Sequence, residues 1–367
     1  MKQKFTLLAL VSLVLLFCSA PAFSASVDDL KRQIDLLSDE VDDLKGRSMG
    51  SSGTTDHNRV SVHGYGELHL NVPTSGNNNQ TQIDQHRFVI GVHALLTDWI
   101  HLNAEIDFEH AGQELEFEFG YLDFLLSDAL NVRAGVVIVP VGFLNEYHEP
   151  PLFWTSERPL LQERMIPTTW SGAGAGFFGS LGEGVSYRAY VVNSLQSIKD
   201  NSTSGGSGNG NGGDDSSFDS NGIRGGRGQI NRRVAENFAF TGRLEFTKLY
   251  PGLQVGLSTF LGNTTQGFID EGGFMSLLEA DIQYRWNWLE MNSTVVVTHI
   301  ADTTAMENFC GIAGNGCSGG VAERQFGFNI QAGIHLPQLM GWKTTHDIIP
   351  HIMFERVRTQ DKMAQGV

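Results

Sequence analysis

Residues 131–179 read NVRAGVVIVPVGFLNEYHEPPLFWTSERPLLQERMIPTTWSGAGAGFFG. Leu130, Val132, Ala134, Val136 and Ile138 fall on one face of an extended chain, and Asn131, Arg133 and Gly135 on the other. Side chains that alternate in this way specify a strand with one apolar and one polar face. Pro140 ends the alternation, and a glycine-rich strand begins near Trp170. The segment between carries Glu146, His148, Glu149, Glu157, Arg158, Glu163 and Arg164, stiffened by Pro150, Pro151, Pro159 and Pro167. A connection this long between two strands is functional more often than structural.

The same period of two recurs outward from this stretch. Val60, Val62, Gly64, Gly66, Leu68 and Leu70 oppose Ser61, His63, Tyr65, Glu67 and His69. Phe326, Phe328, Ile330, Ala332, Ile334 and Leu336 oppose Gln325, Gly327, Asn329, Gln331, Gly333 and His335. Strands of about nine to twelve residues suit a tilted crossing of a bilayer. A soluble sandwich also alternates, but it uses shorter strands. Connections add an asymmetry. Tight turns (Thr97-Asp98, Ser127-Asp128, Gly182-Glu183-Gly184, Tyr250-Pro251-Gly252, Asn287) alternate with long loops (71–84, 140–169, 194–236, 262–273, 301–322). Short turns at one end and long loops at the other are the arrangement of membrane barrels. Around Leu115–Leu125 the phase slips near Gly120, which predicts a bulge there.

Ahead of the strands, Lys2 and Lys4 precede an apolar run from Phe5 to Phe17 and then small residues, the pattern of a secretory signal peptide over 1–24. Lipid attachment at Cys18 is disfavoured by the bulky Phe17 before it. Val27, Ile34 and Val41 with Leu30, Leu37 and Leu44 form a heptad seam, so 25–46 is expected to be a periplasmic coiled-coil helix, followed by a linker over 47–58. No later stretch is apolar for long enough to make a spanning helix. Cys310 and Cys317 bracket CGIAGNGC, and a loop-closing disulfide fits an exported chain.

The fold class expected is therefore all-β, a transmembrane antiparallel β-barrel over 59–367 behind a short coiled-coil helix. About thirteen strands can be counted by Arg356, whereas bacterial single-chain barrels have even numbers. The sequence is accordingly read as incomplete at its C-terminus, with twelve or fourteen strands as the alternative count. A net charge of −16 argues against a nucleic-acid partner. Inward positions mix signs: Arg87, Arg133, Arg188, Arg243 and Arg285 beside Glu67, Glu105, Asp107, Glu245, Glu279 and Asp281. His63, His69, His93 and His101 lie on inward faces and are read as ordinary polar residues rather than as a metal site. No H-E-x-x-H motif is present, and no Ser, His and acid can be placed together from the sequence, so neither a catalytic residue nor a cofactor is expected.

The stretches GYLDFLLSDALNVRAG (120–135), RAGVVIVPVGF (133–143) and ERPLLQERMIPTTWSGAGAGFFG (157–179) resemble the phosphate-selective porins of the O and P type. In that family a strand like Asn131–Gly135 runs into a turn like Pro140-Val141-Gly142 and then a long loop. The resemblance extends over about residues 85–193. It implies a sixteen-stranded trimeric porin of the cell outer membrane, embedded in lipid. The dense lysine and arginine of the named members has no counterpart in this acidic chain, so phosphate selectivity does not carry over. The reading is passive diffusion of small hydrophilic solutes or ions through a bore narrowed by loop 140–169. Its constriction would be set by Arg87, Glu105, Asp107, Arg133, Glu146, Glu149, Glu157, Arg158, Glu163 and Arg164. The rival reading is a structural or adhesive surface barrel with a plugged lumen.

Overall fold

The alternation is realised as a meander of thirteen antiparallel strands. They are β1 (Val60–Asn71), β2 (Gln82–Leu95), β3 (Ile100–Glu109), β4 (Glu114–Leu125), β5 (Asn131–Ile138), β6 (Ser171–Ser180), β7 (Val185–Asn193), β8 (Phe238–Tyr250), β9 (Leu253–Asn263), β10 (Phe274–Trp286), β11 (Leu289–Ile300), β12 (Arg324–Ile334) and β13 (His351–Lys362). Each pairs with its neighbours in sequence order. The computed structural model describes residues 59–73, 80–199, 217–227, 234–312, 315, 317 and 319–363. The signal peptide, coiled coil and linker expected over 1–58 lie outside the described residues.

Burial is the reverse of that in a water-soluble domain. Phe88, Phe117, Phe177, Val191, Phe240, Leu257 and Leu278 are exposed, while Arg87, Glu105, Asp107, Glu118, Arg243, Glu279 and Asp281 are buried on the opposite face. Charged residues are almost never enclosed unless paired, and here they are enclosed together. An apolar outer face and a charged inner face are what a barrel wall in lipid requires.

Contacts of the 140–169 loop reveal the curvature. Glu157 reaches His69 of β1 at 3.7 Å, and three residues on the Leu160 amide donates to Glu355 of β13 at 3.2 Å. In a flat sheet the outer strands would lie about 58 Å apart at about 4.8 Å per strand. Three residues of extended chain span at most about 10 Å. The sheet is therefore curled around this loop. Among the described residues no ladder joins β1 to β13, so the barrel wall is open between them.

Several local expectations are corrected. The bulge in β4 falls at Glu118, not Gly120: Glu105 pairs with Phe119 and Ile106 with Phe117. A second bulge, unforeseen, sits at His86, since Glu67 pairs with Arg87 and Leu68 with Gln85. The alternation of tight and long connections fails twice. β3 and β4 are joined by a short turn at the long-loop end, and β12 and β13 by a long connection holding a helix, Leu336–Met340. The inner face is also not polar throughout. Towards the long-loop end Val137, Val192, Phe260, Leu277 and Val296 point inward and pack with loop residues Leu161, Met165, Ile166, Trp170, Phe218 and Ile223. In the loop before β12, Cys310 and Cys317 are disulfide-bonded with Cα atoms 5.2 Å apart.

The inside-out burial has a direct test. Leu278 is 62% exposed on the outer face of β10. Leu278→Arg is expected to cost about 2–4 kcal/mol of folding stability in lipid vesicles. Gln254→Arg, on the inner face of β9, is expected to cost almost nothing. Reversible denaturant unfolding measures both, and equal costs would contradict the assignment of faces.

Candidate functional site

The loop between β5 and β6 is closed at its neck by one asparagine. Asn145 donates through Nδ2 to the Val139 carbonyl at 2.7 Å and to the Trp170 carbonyl at 3.1 Å. Its Oδ1 accepts from the Trp170 amide at 2.8 Å. Asn145 lies in a short helix, Phe143–Glu146, and that turn of helix aims the next residue at the far wall. Glu146 meets Arg188 of β7 at 2.8 Å and Arg243 of β8 at 3.2 Å. Burial pushes the Glu146 carboxyl above its ordinary range, and the two guanidiniums oppose that shift. Arg243 is itself surrounded by acids. It binds Asp281 through Nη1 at 2.5 Å and Nη2 at 3.1 Å, with Glu279 and Glu245 at 3.7 and 3.5 Å. Gly256 of β9 makes room for this, because a Cβ there would lie 2.2 Å from the guanidinium.

Two residues further on, His148 crosses to the other wall. Its Nε2 lies 3.2 Å from Glu105 and 2.6 Å from Glu118. The bulge leaves both Glu118 and Phe119 on the inner side facing Glu105, with the Glu118 carboxylate buried there. Burial opposes a charge on His148, but the contacts with Glu105 and Glu118 outweigh it and push its pKa up to about 9. The loop then returns along β11–β13. Gln162 donates to Thr294 at 3.4 Å and accepts from Asn329 at 2.9 Å. Gly327 of β12 has no side chain where Leu161 and Met165 pack. The loop is thus tied to walls on all sides.

The residues expected at the constriction divide into groups. Arg87 is enclosed by Glu67 at 3.1 Å, Glu109 at 3.0 Å and Asp107 at 3.6 Å, all from β1 and β3. Glu105 and Glu146 hold the loop. Arg133 is elsewhere. It forms a bidentate pair with Asp123 at 2.7 and 2.8 Å and stacks on Tyr121, 3.9 Å from the ring centre. Among the described residues it has no hydrogen bond or ion pair with the loop. Arg158 donates to the Thr168 carbonyl, and burial together with Arg224, Arg87 and Arg227 lowers its pKa to about 10. Glu157 is exposed beside His69. Glu149, Glu163 and Arg164 are half-buried and make no ion pair among the described residues.

Asn145, Gln162 and Glu355 were missed as tethers. The first two are neutral amides in a loop scanned for charge, and Glu355 lies on the last strand. His63, His69, His93 and His101 do not converge. His93 and His101 approach each other with ring centres 5.5 Å apart, whereas His69 stacks on His86.

Comparison with known proteins adds the following. No family model matches the chain. An uncharacterized protein of Aquifex aeolicus (strain VF5) is 38% identical over 210 residues, 55% of this chain and 44% of that protein. The chain thus spans less than half of that relative's length. OmpF of Salmonella typhi, solved in complex with daunomycin, is similar at 11% identity and a TM-score of 0.47, over 81% of this chain and 78% of that one. An anion-selective porin from Comamonas acidovorans is similar at 10% identity and a TM-score of 0.47, over 82% and 80%. Identities this low leave the chemistry of the site to be read from this chain's own residues.

The His148 tether carries a pH signature. Its folded pKa is raised from 6.5 to about 9. The stabilisation it supplies is therefore complete below about pH 6.5 and lost as pH rises through about 9, an amount on the order of 3 kcal/mol. The difference in unfolding free energy between the native chain and His148→Gln should shrink across that window. A difference that stays constant from pH 6 to pH 10 would contradict the tether.

Proposed function

We propose that the chain forms a water-filled pore in the outer membrane and passes small hydrophilic solutes or ions by diffusion, without chemistry. The observation that carries this reading is the loop tied across the inner face through Glu146 to Arg188 and Arg243 and through His148 to Glu105 and Glu118. A loop held inside a curled wall narrows the bore, and the charges beside it sort what passes. Trimeric assembly and a periplasmic coiled coil belong to the same proposal.

The charge arrangement favours cations. Arg87, Arg133, Arg188, Arg243 and Arg285 each face at least one carboxylate, and Arg87 and Arg243 face several. Their positive charge is locally cancelled. Glu114 and Glu116 gather beside the Arg87–Glu109 pair at the long-loop end, where carboxylates outnumber that one arginine and a negative potential raises the local cation concentration.

A second reading has an observation of its own. The apolar cluster of Leu161, Met165, Ile166, Trp170, Phe218 and Ile223 fills part of the interior at the long-loop end, as a plug in a structural barrel would. Conductance separates the two. Purified full-length protein in a planar bilayer is expected to give discrete openings, with a reversal potential of cation sign in a potassium chloride gradient. Absence of openings would favour the plugged barrel, and a reversal potential of anion sign would overturn the charge preference.

A further inference from the structure

The β2 bulge turns an otherwise unremarkable polar run, Asp84-Gln85-His86-Arg87, into a cluster of metal-type donors. In regular pairing Asp84 and His86 would stand on one face and Arg87 on the other. The extra residue at His86 changes this. Arg87 faces inward opposite Glu67, Asp84 faces inward opposite His69, and Leu68, paired with Gln85, is exposed. The His86 ring lies on the inner side, stacked on His69 with ring centres 4.2 Å apart. Bulges re-aim side chains in this way. From the neighbouring β3–β4 turn comes His110, held at a left-handed φ of 50°.

Two imidazole nitrogens converge on one carboxylate oxygen. Nδ1 of His86 is 3.1 Å from Asp84 Oδ2, and Nδ1 of His110 is 2.9 Å from the same atom. All three donor atoms lie within 4.8 Å of one another. Four-coordinate bonds of about 2.0–2.1 Å set neighbouring donors about 3.3 Å apart, so the two measured separations already match a shared ion. All three side chains are only partly buried, which lets the rings turn the remaining distance and leaves a position for water. A second set of donors, Glu67, His69 and His86, adjoins the first and shares His86. Two imidazoles and a carboxylate with an open position suit zinc and the neighbouring divalent transition ions, and not magnesium or calcium, which prefer oxygen.

We propose that Asp84, His86 and His110 bind one divalent transition-metal ion of the zinc class at the long-loop end of the barrel. The site stands on the wall of β1–β3, independent of whether the bore conducts. Glu157 of the inner loop lies 3.7 Å from His69, so an ion there sits beside the loop that crosses the interior.

The test is zinc chloride titration of the full-length chain, free of any histidine tag, followed by calorimetry. About one Zn2+ per chain is expected to bind, with affinity lowered at least tenfold by either His86→Gln or His110→Gln. His93→Gln, in the separate pair with His101, is expected to leave it unchanged. Cobalt chloride added to the native chain should give the visible absorption of a four-coordinate nitrogen–oxygen site, a readout that needs no variant. Absence of zinc binding up to millimolar concentration would overturn the proposal. So would an affinity unaffected by His110→Gln but lost in His69→Gln, which would place the ion on the other set.

Discussion

Glu146 is shared between Arg188 and Arg243, and that contact anchors the inner loop to the wall of β7 and β8. Removing one partner from a buried ion pair leaves an uncompensated charge, a cost of about 3–5 kcal/mol. Arg243 would still face Asp281, Glu279 and Glu245, but among the described residues Arg188 would keep only Glu245 at 3.7 Å. The wall cannot relax by exposing these groups to the outside, because its outer face is apolar. The same enclosure that makes the charges costly to separate therefore holds the loop in place. The carboxylate is delivered by geometry: Asn145 fixes the neck, and Glu146 is the next residue of the same short helix.

The opposite anchor uses a different device. Glu105 and Glu118 would repel each other on adjacent strands. The ring of His148 lies between them and joins them to the loop. Both bulges of the first four strands present titratable side chains to the interior, Glu118 to the loop and His86 to Asp84. In these four strands the irregularities of the ladder thus coincide with the places where the inner wall does something other than pair its own charges.

Much of the wall was legible in the sequence. A period of two over Val60–Leu70 and Phe326–Leu336 gives strand and faces together, because a one-residue slip would reverse every side chain. The loop was legible from its length, and Glu105 and Glu146 from their charge. Other features carry no such mark. The His86 bulge lies in a run that is polar at every position, so no phase slip is visible. The Glu118 bulge does disturb the alternation, but Phe117 and Phe119 flank it alike and conceal which residue is extra. Arg133 has the right sign and the right face. Its distance from the loop depends on its place along the strand, close to the turn before β5, where Asp123 is its partner. Inward valines such as Val137 read as lipid-facing until the loops that cover them are in place.

The central claim is that residues 140–169 lie inside the curled sheet, in the path of whatever crosses it. Glu157 is a loop side chain left open there, 70% exposed. The direct measurement is current through single reconstituted Glu157→Cys channels during addition of a charged, thiol-specific reagent. A loop within the bore predicts a stepwise change in conductance as each cysteine reacts, absent from the native chain. Complete modification, confirmed by mass, with conductance unaltered would contradict the account.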